Sequence, residues 1–484
     1  MNFGEEQIAA VVRRVVAKMA TSGAVPESGA PAREAAPSGG QPNNGVFPTI
    51  TEAVAAAKAA FKSLDRQPLA LREKIIAAMR AAALAQTETL ARMAVDETGM
   101  GRYEHKVLKN RLAITKTPGI EILAPVACTG DYGLTITELA PYGVIGSITP
   151  CTNPTETIIN NSIGMIAAGN AVVVNAHPTA KKVTLFTINL LNRAIIEAGG
   201  PANLIATVET PTIASANDLM KHPDIALLVV TGGPAVVKAA MASGKKVIAA
   251  GPGNPPAVVD ETADLANAAR CIVDGASFDN NIVCIVEKEI IAVESIADRL
   301  VAELKKCGAY FLNQHQLRQL QKIIIDQVPT GPGDHGVVNK QWVGKDARLI
   351  LAAIDIEVKD DIRLVVAEVP KDHPIVRMEL LMPVVGLVRV KNVDEAIDTA
   401  IEVEHGFRHT AVMHSRNIEN LSKMARAVNT SIFVKNGPST AGLGFHGEGY
   451  TSFTIASPTG EGLTNATHFT RERRCTLKDS FRII

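Results

Sequence analysis

Tyr142-Gly-Val-Ile-Gly-Ser-Ile-Thr149, then Pro150-Cys-Thr-Asn-Pro154, then Thr155-Glu-Thr-Ile-Ile-Asn-Asn-Ser-Ile-Gly-Met-Ile-Ala-Ala168: a β-branched run, a small polar loop and a helical run follow one another without a gap. The alternation then repeats. Ala171 to Asn175 reads as a strand, Lys181 to Ala198 as a helix, and Leu204 to Val208, Ile225 to Val230 and Lys246 to Ala250 as further strands. Such βαβ alternation predicts an α/β protein with a parallel, doubly wound sheet. Ligands of these sheets sit beyond the carboxyl ends of the strands, where the chain places Pro150 to Pro154, Thr231-Gly-Gly-Pro234 and Gly251-Pro-Gly-Asn-Pro255. Glycine allows close backbone approach to a pyrophosphate, and Pro234 opens a helix whose first N–H groups are free to face its charge.

The 484 residues exceed one ordinary core, and at about 150 residues per domain they predict two or three domains. Lys+Arg and Asp+Glu both number 49, so no global field favours nucleic acid or an anionic membrane. The six cysteines (Cys128, Cys151, Cys271, Cys284, Cys307, Cys475) are scattered, with no CxxC pair and no Cys/His ligand spacing. That pattern speaks against a disulfide framework and a zinc site and fits a reducing cytosol, and no metal is assigned. No apolar run approaches the roughly 18 residues needed to span a bilayer, and no secretion signal is evident, so the expectation is a soluble protein.

Residues 1–20 read as a separate amphipathic helix: Ile8, Val11, Val12, Val15 and Met19 share one face, with acids early and bases late. Residues 21–47 follow as a tether, 17 of the 27 being Gly, Pro, Ala or Ser, too little apolar matter to bury. An apolar stripe hung on a tether calls for a partner. Thr51 to Thr98 reads as two helices broken at Leu64-Asp-Arg-Gln-Pro68, and Gly99-Met-Gly101 closes the second. Residues 128–142 read as an extended hairpin, an arm suited to another subunit. Gly331-Pro-Gly-Asp-His-Gly336 fits GxGxxG literally, but it lies among prolines outside any βαβ unit and reads as a surface loop.

Ser277-Phe-Asp-Asn-Asn-Ile-Val-Cys284 is a polar, amide-rich approach to one cysteine, followed by a strand-like run, Ile285 to Val293. A lone cysteine near apolar residues is ordinarily a small buried hydrophobe. At a loop-to-strand junction, however, it is placed to react, and oriented amides or a helix N-terminus would lower its pKa.

Taken together, Ile148-Thr-Pro-Cys-Thr-Asn-Pro154, Thr231-Gly-Gly-Pro234, Asn280-Asn-Ile-Val-Cys284 and Glu379-Leu-Leu-Met-Pro383 resemble, in order and spacing, the aldehyde dehydrogenase superfamily over about residues 48–484. Glu97-Thr-Gly-Met-Gly-Arg102, Ala140-Pro-Tyr-Gly-Val-Ile-Gly146, His177-Pro-Thr-Ala-Lys181 and Ser457-Pro-Thr-Gly-Glu-Gly462 are similar to its CoA-acylating branch. The first 47 residues resemble the encapsulation peptides of bacterial microcompartment enzymes. The nearest resemblance is to the propionaldehyde-oxidising type of propanediol-degrading compartments.

That resemblance implies an aldehyde dehydrogenase-like fold and the CoA-acylating oxidation of a short-chain aldehyde, with propionaldehyde expected, to acyl-CoA. NAD is the implied cofactor and coenzyme A the co-substrate. Cys284 is the implied nucleophile, forming a thiohemiacetal and then a thioester, and its backbone N–H with the Asn153 carboxamide forms the oxyanion site. Hydrolytic members carry their asparagine one position earlier, where this chain has Thr152. Thr149, Pro150, His177, Gly232, Gly233 and Glu379 are the expected cofactor-binding residues, and Ile282, Val283, Thr454 and Ile455 the expected substrate pocket. At the position of the glutamate that activates water in the hydrolytic branch stands Ala250, which favours thiolysis by CoA. The implied organisation is a Rossmann-like cofactor domain at 48–127 and 143–252, an α/β catalytic domain at 253–445, and an oligomerisation arm at 128–142 and 446–484. A homodimer or homotetramer is expected in the cytoplasm, inside a microcompartment, with residues 1–20 on a shell protein. A hydrolytic dehydrogenase and a non-catalytic scaffold retaining the fold remain the alternatives.

Overall fold

Six parallel strands form the first sheet, in the order Val46–Phe47, Ile205–Val208, Ala171–Ala176, Val144–Thr149, Ile225–Thr231, Lys246–Ala250. Val144–Thr149 is central; the chain adds strands first on one side of it and then on the other. The order therefore reverses between Thr149 and Thr231, which leaves a crevice at the carboxyl edge. Thr149 pairs with Ala176 and Thr231 with Ala250, so the three small-residue loops do share one edge. The helix Pro154–Ala167 is buried along its whole length, which accounts for Ile158, Ile159, Ile163 and Ile166 on more than one face.

The computed structural model describes residues 44–331 and 335–483. The amphipathic helix expected at 1–20 and the tether up to residue 43 lie outside the described residues, as does part of the Gly331–Gly336 loop. Residues 44–47, expected to belong to the tether, are instead part of the fold. Val46–Phe47 pairs with Thr207 and Val208, and the Asn192 carboxamide donates to the Asn44 carbonyl and to Ile205.

Seven parallel strands form the second sheet, in the order Ala309–Phe311, Leu364–Glu368, Val384–Val390, Glu289–Val293, Pro256–Val259, Thr410–His414, Ile432–Lys435. The chain passes from the first sheet at Ala250 to the second at Pro256 through Gly251–Pro255. That crossing brings the carboxyl edge of one sheet close to the entry edge of the other, because Glu289 pairs with both Pro256 and Gly386.

The strand expected at Ile285–Val293 begins only at Glu289. Glu287 accepts from the Ser439 backbone N–H and hydroxyl, and the Lys288 ammonium donates to the Asn281 carbonyl and carboxamide oxygens. These buried bonds hold residues 285–288 out of the ladder. Thr51–Thr98 forms three helices, not two: Ile50–Leu64, Leu69–Ala85 and Thr87–Thr98, the second break falling at Gln86, where the Thr87 hydroxyl bonds back to Leu84. Gly99, at φ 67°, ends the third as the sequence implied.

The hairpin pairs Val126–Gly130 with Gly133–Pro141, and Thr470–Lys478 adds to it antiparallel within the same chain. The strand expected in the tail is thus present, but its partner here is its own hairpin. Asn170 ties this arm to the first sheet. Its carbonyl accepts from the N–H groups of Tyr142 and Gly143, and its NH2 donates to the carbonyls of Met165 and Phe469.

Candidate active site

Three consecutive residues before Cys284 are left-handed: Asp279 (φ 49°), Asn280 (φ 53°) and Asn281 (φ 65°). This region costs an ordinary residue about 1–2 kcal/mol, and Asn and Asp tolerate it best, which explains the residue types. Side chains then fix the turn. Asn280 donates to the Gly344 carbonyl, and Asn281 donates to the carbonyls of Ala276 and Glu287. Asp279 takes an N–H from Arg102 at 2.8 Å, and its own N–H donates to Nδ1 of His105. A Cβ on Gly101 would stand 2.2 Å from the Asp279 carboxylate, so the Gly99-Met-Gly101 motif serves this approach.

The helix Tyr103–Lys116 sends two lysines inward, and both are fully buried. Lys106 lies 3.1 Å from the Asp279 carboxylate and Lys109 2.5 Å from it, while Glu156 stands 3.3 Å from Lys109. Two cations and two anions balance, as buried charges must. Lys106 also donates to the Thr152 carbonyl, and Lys109 donates to the Asn153 carboxamide oxygen at 2.6 Å. Burial works to raise the Asp279 pKa, but Lys106, Lys109 and the Arg102 N–H outweigh it and hold the carboxyl down to about 2. Its contribution to stability is therefore complete above the ordinary value of 3.8 and is lost as pH falls through 2. Burial likewise opposes the charge of Lys109, and Asp279 and Glu156 overcome it to raise the pKa.

Cys284 lies partly buried beyond this turn. The expectation of a lowered thiol pKa is reversed. Burial first, and then the nearby Glu379 carboxylate, push the thiol up to about 12, against the opposing pull of Lys288. Gly253 closes the other side: a Cβ there would stand 2.6 Å from the Cys284 carbonyl and 3.0 Å from the His409 ring. Glu379 accepts the Gly253 N–H, and its pKa is raised, by burial above all. His409 is fully buried, its Nδ1 bonded to the Thr410 hydroxyl and its Nε2 without a partner among the described residues. Burial and then Lys288 hold its pKa at about 4, so the ring is neutral.

The remaining sequence expectations separate. Thr149 is buried at the crevice, its hydroxyl without a partner among the described residues, and Pro150 follows at the rim. The Gly232 N–H donates to the Ala250 carbonyl, and a Cβ on Gly233 would meet open space, so that turn can receive a ligand. These features, with the Glu379 carboxylate, fit a dinucleotide lying along the sheet edge. His177 is exposed and turns inward on its own chain, accepting the Thr179 N–H as the cap of a short 3-10 turn. Ile282 and Val283 are packed into the core, Ile282 beside Gly344. Ile455 is buried in a short strand, and Thr454 is buried between the Thr231 hydroxyl and the Asn161 carboxamide. Among the described residues no group of three or more His, Cys, Asp and Glu is placed to hold a metal ion.

Sequence reasoning missed Lys106, Lys109, Asp279, Lys288 and His409. A signal existed for the first two: with Ala113 they fall at i, i+3 and i+7, the spacing of a buried stripe, where lysine is out of place. A cavity of about 480 Å³ opens nearby, lined in part by Arg270, Arg363, Phe445 and His446. His105 and Phe278, stacked at 4.7 Å, belong both to its wall and to the Asp279 turn.

Comparison with known proteins matches residues 41–312 and 363–468 to the aldehyde dehydrogenase family. The acetylating acetaldehyde dehydrogenase of Escherichia coli is 50% identical over 483 residues, 100% of both chains. The solved structure of Rhodopseudomonas palustris propionaldehyde dehydrogenase with bound propionyl-CoA superposes with a TM-score of 0.87 at 52% identity, over 90% of this chain and 96% of that one. An engineered glycolyl-CoA reductase with bound NADP+ gives a TM-score of 0.88 at 51% identity, over 92% and 100% of the two chains.

With the Cys284 thiol near 12, alkylation by iodoacetamide in the free protein should accelerate about tenfold per pH unit from 7 to 10, because the thiolate is the reactive form. Rates measured on the Cys284 peptide by mass spectrometry check this. A plateau near pH 8 would mean a thiolate already formed at rest.

Proposed function

Because the chain belongs to the aldehyde dehydrogenase family, we propose that it carries out the NAD-dependent, CoA-acylating oxidation of a short-chain aldehyde, with propionaldehyde as the substrate. Its likeness to an acetylating enzyme and to a propionaldehyde dehydrogenase holding propionyl-CoA supports both the reaction and the size class of substrate. The observation that carries the choice of branch is Ala250. It is buried at the end of its strand, and Ala249–Gly253 contains no acid to activate water.

In this reading Cys284 attacks the aldehyde carbonyl. Its proton passes to solvent water as the bond forms, since a thiol near 12 is not ionised beforehand. The thiohemiacetal oxyanion is met by the Cys284 N–H and the Asn153 NH2, donors held in place before charge develops, each worth about 10²- to 10³-fold in rate. When bound, the dinucleotide supplies the acceptor for the hydride, and Thr149, Gly232, Gly233 and Glu379 would hold it. The thioester left on Cys284 meets no carboxylate at position 250 to activate water. A CoA thiol, ordinarily near pKa 8.5, supplies its own thiolate and needs no such base. The acyl group passes from the sulfur of Cys284 to that of CoA, and Cys284 is restored.

The domain division and the arm keep the roles implied by the sequence. The cofactor unit is built on the six-stranded sheet, the catalytic unit on the seven-stranded sheet, and the three-stranded arm forms an interface between copies. Residues 1–20 dock on a microcompartment shell protein by laying Ile8, Val11, Val12 and Val15 in an apolar groove. Among the described residues no helix is long and apolar enough to cross a membrane.

Steady-state NADH formation with C2 to C6 aldehydes should depend on CoA, with propionaldehyde giving the highest kcat/KM. In Ala250→Glu, free acid should rise relative to acyl-CoA; CoA-independent turnover of the unmodified protein would favour the hydrolytic alternative. Deleting Met1–Asn43 should leave kcat and KM within about twofold, as chain termini seldom carry active-site contacts, and should abolish co-purification with isolated shells. Equal recovery of the full-length and shortened proteins would overturn the docking assignment.

A further inference from the structure

The loop Pro150–Asn153 is gripped by two lysines one turn apart on the helix Tyr103–Lys116. Lys106 takes the Thr152 carbonyl and Lys109 the Asn153 carboxamide oxygen. The direction of the second bond follows from chemistry alone. An ammonium has three donors and no acceptor, so the atom of Asn153 facing Lys109 is its oxygen, and the NH2 points the other way. One amide hydrogen of that NH2 reaches the Thr152 hydroxyl at 3.2 Å, and the second has no partner among the described residues. Lys109 is itself clamped by Asp279 at 2.5 Å and Glu156 at 3.3 Å, with none of these side chains exposed. Asp279 begins the left-handed turn that ends at Cys284. One carboxylate thus links the orientation of the Asn153 amide to the turn carrying the nucleophile.

We propose that Lys109 is a positioning residue for aldehyde oxidation: clamped by Asp279 and Glu156, it fixes the Asn153 carboxamide with its free N–H turned toward the developing oxyanion. The inference rests on the reading of Asn153 as an oxyanion donor. Without the ammonium the amide is free to rotate by half a turn and present its oxygen, an acceptor, to the anion. The bond is charge-assisted and buried, and the loss expected is about 10- to 100-fold in kcat. KM for the aldehyde should change little, because the interaction matters only once charge has formed.

The test is a double-mutant cycle of Lys109→Met and Asn153→Ala, read by kcat and KM for NADH formation in the full-length enzyme. Each single variant should lower kcat, and the double variant should be no slower than Asn153→Ala, since a positioner has nothing left to position. Alkylation of Cys284 by iodoacetamide, which forms no oxyanion, should stay within about threefold in Lys109→Met. Lys109→Gln, which keeps an N–H donor without the charge, serves if the methionine variant does not fold. It should retain more activity than Lys109→Met if both fold, and should give the same non-additive cycle. If Asn153→Ala is near neutral, the oxyanion reading itself fails. If Asn153→Ala is damaging but the two losses multiply, or if alkylation collapses together with kcat, the oxyanion reading stands and the positioning role is overturned.

Discussion

The Asp279 carboxylate, buried between Lys106 and Lys109, is the contact on which the arrangement around Cys284 depends. Two ammonium groups in a protein interior have no water to solvate them and must be met by anions. Asp279 supplies one charge and Glu156 the other. Because Asp279 sits in a left-handed turn, meeting the lysines also fixes backbone that would otherwise relax, and Asn280 and Asn281 complete the hold through backbone carbonyls. Removing one partner of such a pair costs about 3–5 kcal/mol, because the survivor is stranded. The network is therefore expensive to break in either fold or function.

Around this anchor the architecture follows from connectivity. A doubly wound sheet leaves a crevice where its strand order reverses, between Thr149 and Thr231. The same chain builds a second sheet directly after Gly251–Pro255, so the entry loops of that sheet, bearing Cys284 and Glu379, face the neighbourhood of the crevice. Gly253 is small because the Cys284 carbonyl and the His409 ring leave no room for a side chain. Lys288 completes the back wall. It donates to the Asn281 carbonyl and carboxamide and opposes, by its charge, the burial that keeps the Cys284 thiol protonated.

Much of the fold was legible from the alternation of β-branched and helical runs. The strand read at Lys246–Ala250 is observed with those bounds, and the strands around Thr149 and Thr231 lie within two residues of their expected limits. Local pattern suffices there because each run is apolar and bounded by Gly or Pro. It failed where tertiary bonds overrule propensity: Ile285 to Lys288 looks like strand but is held out of the ladder by the bonds of Glu287 and Lys288. At the site, Cys284, Asn153 and Glu379 stood out through short motifs. Lys106 and Lys109 did not, because lysine on a helix is ordinarily a solvated face, and the anionic partners that let them be interior residues are distant in sequence. The pKa of Cys284 was likewise beyond sequence, since the burial that chiefly raises it, and the Glu379 carboxylate that adds to the rise, both come from tertiary packing.

The central claim is that Cys284 carries an acyl thioester that water spares and CoA removes. Mixing the protein with propionaldehyde and NAD, without CoA, and following the intact mass and the Cys284 peptide by mass spectrometry tests it most directly. The account predicts a propionyl adduct on Cys284 that persists in buffer and is discharged within one turnover on addition of CoA, with propionyl-CoA as the product. An adduct that decays to propionate at the same rate with and without CoA, or one found on another cysteine, would contradict it.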